Sequence, residues 1–147
     1  MDKINAIPSG HDGNGYVTIN GRVLPAFKMQ KIRPDVEMII DSKRFLGDRV
    51  EQNAPRGMRI GGDLSYYHTT SAFIEAIKEY KNGGDYPDIN IQYYTETAER
   101  GRSEILLSGV VLKNVPLGEL DDGNDNAVVI DTTFSADDFD VIAKFKE

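Results

Sequence analysis

SKRFLGDRVEQNAPRGMRIGG, residues 42–62, separates two apolar, strand-like runs and is too polar to form part of a core. A loop of that length inside a compact domain is usually either functional or disordered. This segment contains five basic and two acidic residues. It also contains apolar side chains, which a disordered linker tends to lack. We interpret residues 42–62, called the arm below, as a segment that orders against a partner; a mobile surface hairpin is the alternative. The basic residues are Lys43, Arg44, Arg49, Arg56 and Arg59, and the apolar ones are Phe45, Leu46, Val50, Met58 and Ile60.

Charge is unevenly distributed along the chain. Residues 1–118 contain 15 Lys and Arg and 15 Asp and Glu, whereas residues 119–147 contain 2 and 9, so the net charge of −7 lies in the last segment. A basic arm and an acidic end are complementary between neighbouring copies, and such heterologous contacts close into rings or extend into filaments. The alternative is an acidic tail that only keeps the protein soluble.

Length and composition narrow the class of protein. At 147 residues, the chain is expected to form one domain with a sizeable core. It has no Cys and therefore no disulfide or thiol nucleophile. No apolar run resembles a signal peptide or membrane span, so we expect a protein made and kept in a cytoplasm unless it leaves by lysis or in an assembly. A pI near 4.8 argues against nucleic-acid wrapping.

The first half of the chain predicts strands. Residues 16–19 and 22–24 flank Asn20-Gly21, which readily takes the positive φ angles of a type I′ hairpin turn. Residues 26–40 alternate polar and apolar side chains on either side of Pro34, a pattern that suits an edge strand or a bend. Extended structure is expected to resume at residues 58–67.

One helix is predicted, at residues 71–81. Phe73, Ile74, Ile77 and Tyr80 have the spacing of one buried helical face, expected to lie across a sheet. Thr69 or Thr70 is suited to cap its start, and Gly83-Gly84 to end it.

Further strands are predicted at residues 88–97, 105–115 and 127–134, with a turn at 98–102 and a loop at 120–126. Strands on both sides of a single helix predict a mainly β protein, a β-sandwich or partly closed barrel flanked by the helix.

Catalytic and metal-binding patterns are missing from the sequence. His11 and His68 have no metal-ligand spacing, and residues 10–15 are glycine-rich but precede a strand instead of a helix. Residues 121–126 offer oxygen ligands, yet Thr132 stands where a calcium-binding loop needs its Glu, which favours a solvated hairpin loop. No nucleophile elbow or acid/base pair is evident. The sequence therefore predicts a non-enzymatic protein without cofactor or metal.

The order of elements resembles the XkdM-like tail tube proteins of contractile phages and related prophage elements. The resemblance rests on YVTINGRV, the arm, YYHTTSAFIEAIKEYKNGG, INIQYYTETAERGRSE, ILLSGVVLKNVPLGEL and FSADDFDVI. Its most specific parts are the helix followed by KNG and the pattern at residues 134–140. Nearly the whole chain is covered, which implies one tail-tube domain over residues 1–147.

The resemblance also implies an assembly. Six copies would form a ring by joining their sheets, and the rings would stack into the hollow inner tube of a contractile phage or a bacteriocin-like particle. The arm would reach an adjacent ring through contact residues Arg44, Phe45, Leu46, Arg49, Val50, Arg56 and Met58.

Partners implied in this way are further copies of the chain and the sheath, tape measure, baseplate and tail terminator proteins. DNA would be only passing cargo, for which an acidic balance suits a channel, since like charges repel. No membrane is involved, and the particle would assemble in the bacterial cytoplasm and leave by lysis.

A protein of another class is the alternative. In a monomeric carbohydrate- or ligand-binding β-sandwich, exposed Tyr66, Tyr67, Tyr93 and Tyr94 would form a stacking platform. Concentration-dependent assembly separates the two, because a binding module stays monomeric.

Overall fold

The computed structural model describes residue 4, residues 7–25 and residues 27–147. Ala26, the first residue of one predicted strand run, lies outside the described residues. The elements are β1 Gly13–Ile19, β2 Arg22–Val23, β3 Met29–Lys43, β4 Gln52–Tyr67, α1 Ala72–Lys81, β5 Ile89–Thr97, β6 Gly101–Ser108, β7 Val111–Leu112, β8 Val129–Ala136 and β9 Asp138–Ala143.

Two antiparallel sheets form a sandwich. One has the strand order β2-β1-β5-β6-β9 and the other β3-β4-β8-β7. The chain crosses between them after β2, β4, β6 and β8. The last two crossings touch, because the Asp137 N–H donates to the Ser108 carbonyl at 3.0 Å. The predicted mainly β fold with one helix is confirmed, in its sandwich form and not as a closed barrel.

The first hairpin follows the predicted turn chemistry. Asn20 and Gly21 have φ angles of 52° and 82°, and Ile19 pairs with Arg22 across the turn. Pro34 lies in β3, which is an edge strand. A proline at this position does not remove a backbone hydrogen bond between two central strands. Both predictions are confirmed.

The core lies between the inner faces of the sheets. Most of its fully buried side chains come from alternate strand positions, as the period of two requires, while Phe73 comes from α1 and Val110 from the connection between β6 and β7. The fully buried side chains are Val17, Leu64, Phe73, Ile89, Ile91, Leu107, Val110 and Phe134. An aromatic cluster closes one end, with ring centroids 5.3 Å apart for Phe27 and Tyr66 and for Tyr66 and Phe73.

Helix α1 is fixed at both ends by local hydrogen bonds. Thr70 Oγ1 accepts from the Ala72 N–H at 3.2 Å. At the other end Gly83 has φ 100° and donates to the Tyr80 carbonyl at 3.2 Å, while Gly84 donates to that of Glu79 at 3.0 Å. These two bonds form a Schellman motif, which satisfies carbonyls left open by the last turn.

Helix α1 buries fewer side chains than the spacing of its apolar residues predicts. Phe73 is fully buried, Ile74 and Ile77 are half-buried, and Tyr80 is exposed, with its ring 5.4 Å from that of Tyr86. The prediction of a four-residue buried face is therefore wrong. Because the two sheets already cover each other's inner faces, the helix enters the core chiefly through Phe73.

Two further differences concern the second half of the chain. The strand predicted over residues 105–115 is broken at Gly109, whose φ of 65° lets the chain cross to the other sheet as β7. The acidic closing segment forms β9, which the sequence analysis did not identify as a strand. Its carboxylates alternate with Phe139 and Val141, so the acidic composition hides a strand of period two.

Candidate inter-subunit surface

Strands β3 and β4 extend well beyond the sandwich. Strand β8 pairs with β4 only from Ile60 to Tyr67, whereas β3 pairs with β4 as far as Lys43 and Gln52. Residues 37–59 therefore form a two-stranded ribbon, with which no third strand pairs among the described residues. At the usual rise per residue, it carries its tip, residues 44–51, roughly 23 Å beyond the sheet.

The part of the arm without regular structure is thus shorter than the composition of the arm indicates. Residues 42, 43 and 52–62 lie in strands, and only the tip lacks regular structure. Polar composition does not prevent strand formation here, because backbone pairing between β3 and β4 satisfies the N–H and C=O groups without any burial. The arm is therefore part of a β-hairpin, and the pairing register of β3 and β4 determines on which face each apolar side chain lies.

One face of the ribbon is apolar. Val36 lies opposite Ile60, and Met38 lies opposite Met58. Ile40 continues the row after a register shift, and Val36, Met38, Ile40 and Met58 are all exposed, at 43–57% of their surface. This face continues the inner face of the sandwich past the point where the second sheet covers it.

The other face of the ribbon is mainly charged, with Ile39 as an apolar member. Arg56 Nη2 lies 3.4 Å from Asp41 Oδ2, and Lys43 Nζ lies 3.8 Å from Asp41 Oδ1. Glu37 pairs in register with Arg59. Exposed ion pairs of this kind contribute at most about 1 kcal/mol each, so they bias the twist and register of the ribbon more than they hold it.

An isolated two-stranded ribbon is at best marginally stable in water. A contiguous exposed apolar face is also a mark of an interaction surface. The ribbon combines both features, which indicates that its apolar face is covered when the protein functions.

The predicted contact residues divide into two groups. Arg44, Phe45, Leu46, Arg49 and Val50 lie together in the tip, where Phe45 is 62% and Leu46 is 107% exposed. Arg56 and Met58 lie in β4, where Arg56 forms an ion pair with Asp41 and Met58 lies opposite Met38. The structure therefore brings five of the seven residues together.

Sequence reasoning missed the β3 half of the apolar face. Val36 and Met38 alternate with Asp35 and Glu37, and Ile39 and Ile40 follow before Asp41, in a run that was predicted only to be a strand. The alternation itself was the available signal, because a strand charged on one face and apolar on the other needs a cover for the apolar face.

Strand β3 also leaves one backbone edge open. It is the terminal strand of its sheet, and among the described residues no strand pairs with its outer side. A long open edge is a template for pairing with another chain. Short β7 forms the opposite edge of the same sheet, so one subunit offers two different edges.

The four tyrosines do not form a platform. Tyr66 is buried in the aromatic cluster, and burial raises its pKa. The Arg102 guanidinium lies 4.0 Å from the ring centroid of Tyr94 and covers it. Hydrogen bonds to Glu104 at 3.1 Å and Glu96 at 3.2 Å raise the pKa of Arg102. These contacts occupy the surface that a stacked ligand would need.

Among residues 4, 7–25 and 27–147, no group of three or more His, Cys, Asp or Glu is arranged to hold a metal ion. In that same part of the chain, no helix has the length and apolar character needed to cross a membrane. In the loop at 121–126, Asp121 Oδ1 accepts from the Gly123 N–H at 3.0 Å, as turn chemistry predicts.

Comparisons with known proteins converge on one structural class. The chain matches a chain in the cryo-EM structure of the anti-feeding prophage baseplate with a TM-score of 0.72 and 13% identity, covering 97% of each chain. It matches a chain of the sheath–tube complex of the PVC extracellular contractile injection system with a TM-score of 0.61 and 11% identity, covering 97% of this chain and 99% of that one. For the SPP1 tail tube the TM-score is 0.55 at 17% identity, with 94% of this chain and 77% of that one covered.

At these identities the structural matches establish the fold alone. No curated protein sequence matches the chain significantly. A family model described as phage tail tube protein matches residues 2–143, which is nearly the whole chain. The chain therefore belongs to the phage tail tube protein family, and it is a structural subunit of a tail tube.

Proposed function

We propose that six copies of this chain join into a ring and that the rings stack into the hollow inner tube of a contractile tail or tail-like particle. The exposed apolar face of the ribbon carries the proposal. No described residue covers the exposed side chains of Val36, Met38, Ile40 and Met58. The ribbon that carries them has only two strands, and such a ribbon is at best marginally stable in water.

Ring formation follows from the sheet edges. The four-stranded sheet ends in β3 on one side and β7 on the other, so joining copies edge to edge pairs two different surfaces. A heterologous contact of this kind closes into a ring when the rotation between copies divides a full turn. Closure removes the open edges that would make a monomer prone to aggregation.

Stacking follows from the ribbon. It projects roughly 23 Å from the sheet, which keeps its tip away from the subunit's own sandwich and supports a contact with a copy in another ring. Arg44 and Arg49 at the tip form no ion pair with any described residue. They are therefore available to an acidic surface on that ring.

The proposed partners follow the structures with the same fold. Those structures are of a baseplate with six-fold symmetry, a sheath–tube complex, a sheath/tube terminator and a tube-terminating cap. We place this chain inside a contractile sheath, between a baseplate and a terminator, with a tape measure protein in its lumen. Assembly then takes place in the bacterial cytoplasm, and lysis releases the particle.

Sedimentation and negative-stain microscopy over a concentration series test the proposal. Rings, or tubes of uniform width, are expected at high concentration, with six-fold symmetry in end-on views. Protein that stays monomeric at every concentration, and is not recruited by sheath and baseplate proteins, contradicts the proposal.

A further inference from the structure

The outer edge of β7 is covered within the subunit by a tyrosine side chain. Lys113, directly after β7, donates its N–H to the Thr133 carbonyl in β8 at 2.8 Å. Because backbone donors alternate in direction along a strand, the Leu112 N–H points the other way, out of the sheet. It donates to the hydroxyl oxygen of Tyr86 at 3.0 Å. A side chain from the segment between α1 and β5 thus occupies a donor that a neighbouring strand would need.

The preceding outward donor is occupied as well. Val110 donates its N–H to the Ile89 carbonyl at 3.0 Å. Ile89 belongs to β5 in the other sheet, so this bond ties the start of β7 to the five-stranded sheet. Covering a sheet edge with a loop is one way in which proteins prevent unwanted strand pairing. The β7 edge has this kind of cover in the free subunit.

The ring of Tyr86 is supported by the helix. It packs half-buried against the core, and the Tyr80 ring lies 5.4 Å away at an interplanar angle of 80°. Edge-to-face pairs of this kind are a favourable aromatic arrangement. Exposed Tyr80, which does not belong to a buried helix face, therefore helps to hold Tyr86 at the β7 edge.

The backbone that carries Tyr86 is anchored on both sides. Gly84 donates to the Glu79 carbonyl at 3.0 Å, and Asp88 donates its N–H to Asn20 Oδ1 at 3.0 Å. The side chain is therefore the part that can leave the edge, because a partly exposed side chain changes rotamer without unfolding the elements on either side.

Tyr86 and a neighbouring strand exclude each other at this edge. A strand paired with β7 would lie about 4.8 Å away and place a carbonyl oxygen against the outward N–H. The Leu112 N–H carries a single hydrogen, and the Tyr86 hydroxyl already accepts it. Pairing of β3 with β7 therefore requires Tyr86 to leave Leu112. Each joint of the ring needs one edge of each kind, so covering β7 is enough to affect every joint.

We propose that Tyr86 acts as a latch on the β7 edge. In the free subunit its hydroxyl occupies the Leu112 N–H, and in the ring β3 of the neighbouring copy replaces it. The contact raises the concentration at which free subunits begin to pair. This inference rests on the proposed function, since it assumes that copies join through β3 and β7.

Amide hydrogen exchange in the dilute subunit tests whether the latch is closed. Tyr86→Phe removes only the hydroxyl, and its matched control, Tyr80→Phe, removes the hydroxyl of the ring packed against it. The Leu112 amide should exchange roughly two- to tenfold faster in Tyr86→Phe, the range expected for one net hydrogen bond. It should exchange at the wild-type rate in Tyr80→Phe.

The Lys113 amide is an internal reference, because it donates to Thr133 inside the sheet and should not change. Equal exchange of the Leu112 amide in wild type and Tyr86→Phe overturns the latch, whether or not the protein forms tubes.

Sedimentation over a concentration series tests whether the latch holds back assembly. Tyr86→Phe should form rings or tubes at a roughly two- to tenfold lower concentration than wild type, and Tyr80→Phe at the wild-type concentration. Tubes from Tyr86→Phe that need as much protein as wild type, or more, overturn the latch and leave the proposed function intact. Failure of every chain to assemble overturns both.

Exchange in assembled tubes shows what replaces Tyr86. The Leu112 amide should be protected in tubes of wild type and of Tyr86→Phe alike, because β3 of the neighbouring copy supplies the acceptor. If this amide stays fast in Tyr86→Phe tubes, the copies join at another surface and the proposal is wrong.

Discussion

Pro34 lies directly opposite Gly62, inside the sheet and just before the ribbon begins beyond Val36 and Ile60. A Cβ atom at residue 62 would fall against the Arg33 carbonyl oxygen and within 2.6 Å of Pro34 Cα. The close approach of β3 to β4 beside Pro34 therefore requires glycine at residue 62.

Gly62→Ala should destabilise the subunit by about 1–3 kcal/mol, because the new methyl group forces the two backbones apart. Gly57→Ala is a matched control in the same strand, since a Cβ there would meet only Ile39 Cδ1 at 3.6 Å, an ordinary contact. Urea unfolding of both variants measures the difference. Equal stabilities would mean that the base of the ribbon is not tightly packed.

Phe73→Ala should cost about 3–5 kcal/mol, because it removes the one helix side chain that is fully buried, between Phe27 and Tyr66. Lys78→Ala on the exposed side of the same helix should change the free energy of unfolding by less than about 0.5 kcal/mol. Thermal unfolding followed by circular dichroism compares them. A small effect of Phe73→Ala would place the helix outside the cooperative core.

Alkaline pH should weaken the fold. Burial raises the pKa of Tyr66 and Tyr93 above the ordinary value of about 10, so the folded state holds phenol protons that the unfolded state loses. The contribution is complete below about pH 10 and disappears as the pH rises through the folded-state pKa values. Tyr66→Phe should make this loss smaller in urea titrations. A variant profile parallel to wild type would contradict the assignment.

The sequence predicted the elements that local chemistry determines. Asn20-Gly21 specified the first hairpin, Pro34 an edge strand, and Gly83 the helix end, because each depends on backbone angles or on one missing donor. The sandwich also followed from the alternation of apolar residues. The prediction of a buried helix face was wrong because burial depends on tertiary contacts. Tyr80 has the spacing of a buried residue, but the two sheets leave it no surface to cover.

The contact surface was predictable only in part. Basic and apolar residues marked the tip, whereas Val36, Met38 and Ile40 looked like an ordinary core-facing strand until the register showed that the second sheet ends before them. Sequence reasoning therefore found the tip of the proposed interface but not the apolar face that leads to it.

Charge reversal at the tip should separate assembly from folding. Arg44→Glu with Arg49→Glu should leave the free energy of unfolding within about 0.5 kcal/mol of wild type, since both residues are exposed. Tube formation should be suppressed, because attraction to an acidic neighbour becomes repulsion. Microscopy of the variant beside a Lys78→Glu, Lys81→Glu control measures this. Normal tubes from the tip variant would show that stacking is carried elsewhere.

Limited trypsin digestion of monomer and assembled tube, side by side, tests most directly whether the arm is buried between copies. In the monomer we expect cleavage at Arg44 and Arg49, because the tip lacks regular structure, and slower cleavage at Arg56, which lies in a paired strand beside Asp41. Assembly should protect all three sites, while exposed Lys144 and Lys146 serve as reference sites within the same chain. Protection of the tip in tubes is the predicted result, and equal cleavage of the tip in both states would contradict the account.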